Sequence, residues 1–223
     1  MILKDNLDKV RAAIASCGRE VTAIAACKTQ TAQTVEEFAA IAPEFIFGEN
    51  RVQELLEKYS DRYRWHFIGQ LQTNKVKYIV DKVELIHSLD RIELAKEIEK
   101  QAAKLDKVQG CLIEINMASE ATKGGVAPEH VVEFIESLKE YAHIDVQGIM
   151  SVLPKTDDKA MLHALYEKLY GIFESVKEIS QDNVHIKYLS AGMSGDYEIA
   201  LEHGANMIRL GSILFGERTV HNI

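Results

Sequence analysis

Cysteine is scarce in this 223-residue chain: Cys17, Cys27 and Cys111 are the only three, and no C-x-x-C occurs. An odd number at wide spacing gives neither a disulfide framework nor a zinc-ligand set, and it fits a reducing, cytoplasmic setting. No dense Lys/Arg run is present and the formal net charge is -8, which argues against a nucleic-acid backbone as the main partner. No apolar run is long enough to span a membrane, and the first twenty residues are charged throughout, unlike a signal peptide. The eight histidines show no H-E-x-x-H or other ligand spacing, so no metal site is expected. G-x-S-x-G, G-x-G-x-x-G and G-x-x-x-x-G-K-[ST] are all absent, which removes the hydrolase elbow, the dinucleotide fingerprint and the P-loop. There is no Pro/Gly/Ser-rich linker either, so residues 1–223 read as one domain.

What is present is a rhythm. Residues 1–17 carry Ile2, Leu3, Leu7, Val10 and Ile14 at helical spacing, an amphipathic helix expected to pack on the domain. Short apolar runs follow at Val21–Lys28, Phe45–Asn50, Trp65–Gly69, Leu85–Leu89, Gly110–Met117, Val146–Val152, His185–Ser190 and Met207–Gly211. Helical patterns separate them at Thr31–Ile41, Arg51–Tyr59, Thr73–Asp81, Arg91–Leu105, Pro128–Tyr141, Asp157–Ser180 and Asp196–His203. Strand-helix alternation of this kind predicts parallel βα units. Eight of them in one chain predict an α/β fold, a single (β/α)8 TIM-type barrel with an extra N-terminal helix; an open doubly wound sheet is the competitor.

In such a barrel the chemistry sits at the C-terminal strand ends. The first predicted strand ends in Ala25-Ala26-Cys27-Lys28. Alternation puts Ile24, Ala26 and Lys28 on one face and Cys27 on the other. A lysine there either snorkels into water or, partly desolvated, serves as a nucleophilic amine. The seventh strand runs into Ser190-Ala191-Gly192-Met193-Ser194-Gly195, and the eighth into Gly211-Ser212. Both loops suit a phosphate, held by backbone N–H groups and a helix N-terminus. The plainer alternative is a tight turn with Ser194 capping the helix that opens at Asp196. Arg209 alternates with Ile208 and Leu210 and so points into the barrel mouth, toward a buried ion pair or a ligand acceptor. Asn50 either reaches a ligand or caps the helix at Arg51; Gln70 to Lys75 reads as a loop and cap, with lining of the mouth as the alternative; the fifth strand leads to Ser119 and to Lys123-Gly124-Gly125, a flexible loop.

A lysine able to form a Schiff base, a phosphate cradle and an arginine between them describe pyridoxal 5'-phosphate (PLP). The aldehyde goes to Lys28, the phosphate to Ser194 and Gly211-Ser212, and the ring nitrogen to Arg209. The expected cofactor-binding set is Lys28, Asn50, Ser190, Met193, Ser194, Arg209, Gly211 and Ser212, with no metal.

These residues also carry a family resemblance. Ala26-Cys27-Lys28-Thr29-Gln30, Phe47-Gly48-Glu49-Asn50-Arg51-Val52-Gln53-Glu54, His66-Phe67-Ile68-Gly69-Gln70-Leu71-Gln72-Thr73-Asn74-Lys75, Gly148-Ile149-Met150, Leu189-Ser190-Ala191-Gly192-Met193-Ser194 and Arg209-Leu210-Gly211-Ser212-Ile213-Leu214-Phe215-Gly216 together resemble the YggS/PROSC family of pyridoxal phosphate homeostasis proteins. The resemblance implies a barrel like the N-terminal domain of alanine racemase, an aldimine on Lys28, and a non-enzymatic role in cofactor supply. Two positions depart from the family pattern: Gln70 stands where it commonly has His, and Ala191 where it commonly has Met. The alternative is a PLP-dependent amino-acid racemase. Racemisation needs bases on both faces of Cα, and related racemases draw the second from a further β domain, for which no sequence follows the eighth strand. An arginine facing the pyridine nitrogen also leaves it unprotonated and a weaker electron sink. The expected protein is a cytoplasmic monomer that holds PLP, with PLP-dependent apoenzymes as its further partners.

Overall fold

The computed structural model describes residues 2–117 and 124–216. Eight parallel strands close into a barrel in chain order: β1 (Thr22–Ala26), β2 (Ile46–Glu49), β3 (Trp65–Phe67), β4 (Leu85–Leu89), β5 (Gln109–Ile115), β6 (Ile144–Ser151), β7 (Val184–Ser190) and β8 (Met207–Leu210). Pairing of β1 with β8 excludes the open sheet. The helices are α1 (Lys4–Ser16) before the barrel, then α2 (Ala32–Ile41), α3 (Val52–Lys58), α4 (Ile92–Ala103), α5 (Val131–Glu136), α6 (Lys159–Val176), α7 (Tyr197–Glu202) and α8 (Ser212–Phe215). No helix among the described residues is long and apolar enough to cross a membrane.

Two predicted helices take other forms. Thr73–Tyr78 is a 3-10 helix, with i→i+3 bonds such as Ile79 N–H to the Val76 carbonyl. Its β-branched residues and short span between two strands favour the tighter winding. The Pro128–Tyr141 pattern splits into a 3-10 turn, Pro128–His130, and the short α5, then unwinds through i→i+3 bonds to Tyr141. Ser119 and Lys123 lie outside the described residues.

Alternation along the strands sorts the core into two layers. Ile24, Ala26, Ile46, Ile68, Leu85, Leu112, Met150 and Met207 fill the barrel interior. Their chain neighbours, among them Ala25, Cys27, Phe47, Ile113, Ile149, Ile208 and Leu210, pack outward against the helices. This two-sided burial is why the strands read as continuous apolar runs. The N-terminal helix packs as expected: Leu7 and Val10 are buried, Asn6 Nδ2 donates to the Ile213 carbonyl, and the Leu3 N–H donates to the Leu214 carbonyl. It thereby braces α8, the segment nearest the expected phosphate loop.

Strand β6 is irregular. Its registers with β5 and β7 shift before Gly148, which has φ +152°. A Cβ there would stand 1.9 Å from the Tyr188 carbonyl oxygen, so only glycine allows the close approach. The bulge sets the phase of Met150 and Ser151 at the mouth. Gly148→Ala is expected to cost about 2 kcal/mol or more in urea unfolding, through displacement of β6 from β7.

Candidate functional site

A cavity of about 1010 Å3 opens at the C-terminal ends of β1, β6, β7 and β8. It is lined by Lys28, Asn50, Met193, Ser194, Arg209, Gly211 and Ser212, seven of the eight expected site residues. Ser190 is the exception: it is fully buried beneath Arg209 and does not reach the cavity wall. The loop after β6, Leu153 to Asp157, supplies the outer wall.

Lys28 stands two residues past the end of β1, on the face of Ile24 and Ala26, in a turn that is strained. Thr29 has φ +67°, an uncommon conformation for a β-branched residue. The strain is held by a buried ionic cluster in the layer between barrel and helices. Lys58 Nζ, near the end of α3, pairs with Glu49 on the outward face of β2 and donates to the Cys27 carbonyl at 2.8 Å. Glu54 Oε2, one helical turn before Lys58, lies 3.5 Å from the same ammonium and accepts the Thr29 N–H at 2.7 Å. The residues before and after Lys28 are thus both tied to α3. Burial alone would raise the Glu54 pKa, but the Thr29 N–H and Lys58 outweigh it and hold the carboxyl below its usual value. Cys27 packs beside Glu49, and burial pushes its thiol far up, so it is core and not a nucleophile.

Arg209 is inward and 4 % exposed. Among the described residues no carboxylate lies within ion-pair distance of it. Its Nη1 donates to Ser190 Oγ at 2.6 Å and its Nη2 to the Ser151 carbonyl at 2.8 Å. Burial lowers its pKa, offset by Tyr166, Asp196 and Glu114 around the mouth, and the guanidinium keeps its charge. Below Ser190, at inward positions on β4 and β3, lie His87 and His66, linked to it in a buried hydrogen-bonded series.

The two loops meet. Ser194 does not cap α7; its Oγ accepts the Gly211 N–H at 3.1 Å and the Ile213 N–H at 3.2 Å, across the mouth at the start of α8. Ser212 lies between them at the first helical position, where an N–H has no intrahelical partner, and it lines the cavity. The head of α7 is held instead by Asp196, whose two oxygens accept the Met193 N–H at 2.6 Å and the Tyr166 hydroxyl at 2.7 Å. Met193 sits at the rim, 37 % exposed.

Asn50 is not a cap: the helix at α3 begins after Arg51 with no side-chain cap bond. Among the described residues its Oδ1 is buried without a hydrogen-bond partner, and its side chain lines both the main cavity and a second one of about 720 Å3 beside α3. Gly69 presses on its backbone, since a Cβ there would stand 2.2 Å from the Asn50 carbonyl oxygen. Gln70 lines the second cavity and donates to Glu114 at 3.5 Å. Ala191 is buried in the outer layer, so that departure from the family pattern lies behind the mouth. Burial, reinforced by Asp90, raises the Glu114 pKa to about 7 against the pull of Arg209. No group of three or more His, Cys, Asp or Glu among the described residues could hold a metal ion.

Comparison with known proteins decides the family. The family described as alanine racemase, N-terminal domain, matches residues 2–219. A pyridoxal phosphate homeostasis protein of Aquifex aeolicus is 42% identical over 219 residues, 95% of each chain. The chain belongs to the pyridoxal phosphate homeostasis protein family. A second member, from Pseudomonas aeruginosa, is 35% identical over 94% of this chain and 91% of its own. PipY of Synechococcus elongatus, solved with PLP bound, is 28% identical, with TM-score 0.84 over 95% of this chain and 99% of its own. An alanine racemase of Clostridium difficile, 18% identical, shares the fold over 100% of this chain and 62% of its own, with TM-score 0.73.

The ionic cluster that ties the Lys28 turn was not read from the sequence, although Glu54 and Lys58 stand at the i,i+4 spacing of a helical ion pair. Lys58→Met leaves the Glu49 carboxylate buried without its counter-charge and is expected to cost about 3–5 kcal/mol in urea unfolding. Adding Glu49→Leu is expected to recover much of that loss. Glu114 binds its proton more tightly folded than unfolded, so its contribution to stability falls as pH rises from about 4.3 to about 7. In thermal melts across that range, Glu114→Gln is expected to flatten the fall.

Proposed function

We propose that the whole chain is one PLP-holding unit, a cytoplasmic monomer of the homeostasis family that keeps the cofactor covalently on Lys28 and supplies it to apoenzymes without turnover of its own. The observation that carries this reading is the convergence of Lys28, Arg209 and the Ser194–Ser212 rim on one cavity, in a chain of the same family and fold as a PLP-bound relative. The residues fit the cofactor. Lys28 offers an amine to its carbonyl carbon, and Arg209, with donors to spare beyond Ser190 and Ser151, offers one to the ring nitrogen. Ser194, with its hydroxyl oxygen already accepting two backbone N–H groups, keeps its own proton to donate, and the Ser212 N–H adds a second donor for the phosphate. The orphaned Asn50 Oδ1 supplies an acceptor for a ligand donor.

When bound, PLP supplies an electrophilic carbonyl and an electron-accepting ring. Arg209 holds no proton it can give up near neutral pH, so the chain withholds from the ring the protonation that strengthens it as an electron sink.

Purified protein incubated with PLP is expected to show a visible absorption band that Lys28→Ala abolishes. Incubated with L-alanine in deuterated water, the loaded protein is expected to leave the Cα hydrogen in place. Catalytic exchange or formation of the D-isomer would favour the racemase alternative, and a wild-type chain with no visible band would overturn the PLP reading.

A further inference from the structure

The barrel interior carries a buried polar series that the cofactor contacts leave unexplained. His66 on β3 and His87 on β4 are 3 % and 0 % exposed and occupy inward positions in an otherwise apolar core. His66 Nδ1 lies 3.1 Å from His87 Nε2, His87 Nδ1 lies 3.2 Å from Ser190 Oγ, and Arg209 Nη1 lies 2.6 Å from the same oxygen. Two buried imidazoles are costly in such a core unless each hydrogen bond is made.

The direction of the series follows from one end. Arginine only donates, so Ser190 Oγ accepts from Arg209 and keeps its own proton to give. The acceptor within its reach is His87 Nδ1. That nitrogen therefore carries no proton, and His87 is protonated on Nε2, which donates to His66 Nδ1. His66 in turn is protonated on Nε2, on the side of Glu84, 3.9 Å away at the barrel floor. The reverse order would leave the Ser190 hydroxyl proton buried with no acceptor among the described residues, a penalty that the forward order avoids.

We propose that His87 and His66 are positioning residues: a one-directional chain of hydrogen bonds, Arg209 to Ser190 to His87 to His66, sets the orientation in which Arg209 meets the ligand. The proposal rests on the reading of the cavity as a PLP site, and it assigns a role to histidines that touch no ligand. Ser190 and the Ser151 carbonyl fix two of the guanidinium nitrogens from below and behind. Both rings remain neutral, held so by burial, which brings His66 down to about 3 and His87 well below its ordinary value; Arg64 adds to this for His66, as His66 and Arg209 do for His87. A neutral His87 keeps its acceptor for Ser190, whereas a protonated one would oppose Arg209.

Two measurements test this. In apo-protein labelled with 15N-histidine, long-range 1H–15N spectra are expected to show both rings neutral and protonated on Nε2 from about pH 5.5 to about pH 8.5. A proton on Nδ1 of His87, or titration of either ring in that range, would overturn the chain. In protein loaded with PLP, His87→Phe removes the acceptor at similar shape, and is expected to weaken PLP binding about tenfold or more and to shift the absorption band. His87→Asn, whose Oδ1 can take the place of Nδ1, is expected to restore the band. Wild-type affinity and spectrum in a folded His87→Phe would defeat the positioning role. If wild-type protein binds no PLP, the cofactor reading and the proposed role fall together, while the apo spectra still judge the hydrogen-bond order on their own.

Discussion

The ladder between β1 and β8 is the constraint on which the site depends. It closes the barrel, and it does so in one register, with Ile24 opposite Arg209 and Ala25 opposite Leu210. Two residues separated by most of the chain are thereby brought to the same stretch of wall. Alternation then gives both an inward or mouth-facing direction: Arg209 opposite Ile24, and Lys28 two steps beyond Ala26 on the Ile24 face. A slip of one residue would turn Arg209 into the outer apolar layer, where Ile208 and Leu210 now pack, at the cost of burying an unpaired charge. Register is thus fixed by hydrophobic burial on both faces, and the site inherits its geometry from that fit.

Around this ladder the polar groups divide by layer. The Lys58–Glu49–Glu54 cluster lies outside the barrel wall, between β2 and α3, and ties the strained turn that carries Lys28. The His66–His87–Ser190 series lies inside the wall and supports Arg209 from beneath. Each of the two cavity-lining cations therefore has buried support on the side away from the cavity. Replacing either network by apolar residues would be cheap in stability by general precedent, so geometry at the mouth is the better account of their presence.

Much of this was legible in the sequence. Eight apolar runs spaced by amphipathic segments implied the barrel, because parallel strands buried on both faces leave that pattern. The inward direction of Arg209 and the core placement of Cys27 followed from alternation alone. Less legible was what depends on contacts between distant strands. Ser194 was read as a phosphate contact with a helix cap as the alternative; its hydroxyl caps no helix of its own and crosses to Gly211 and Ile213, which only the approach of the β7 and β8 loops shows. Asn50 stood in a cap-like place but was left orphaned, since the chain reaches α3 through Arg51. Ser190, expected among the cofactor-binding residues, lies buried one layer down, beneath Arg209. The two histidines were set aside for lacking metal spacing, although His66 sits between the outward Trp65 and Phe67, a placement that marks an inward polar group; His87, between Ile86 and Ser88, carries no such signal.

The central claim is that Lys28 is the point at which this barrel holds its cofactor. Its most direct test is borohydride reduction of the PLP-loaded protein followed by mass mapping of the peptides. The account predicts one pyridoxyl-phosphate adduct, on Lys28. An adduct confined to another lysine, or a loaded protein that yields none, would contradict it.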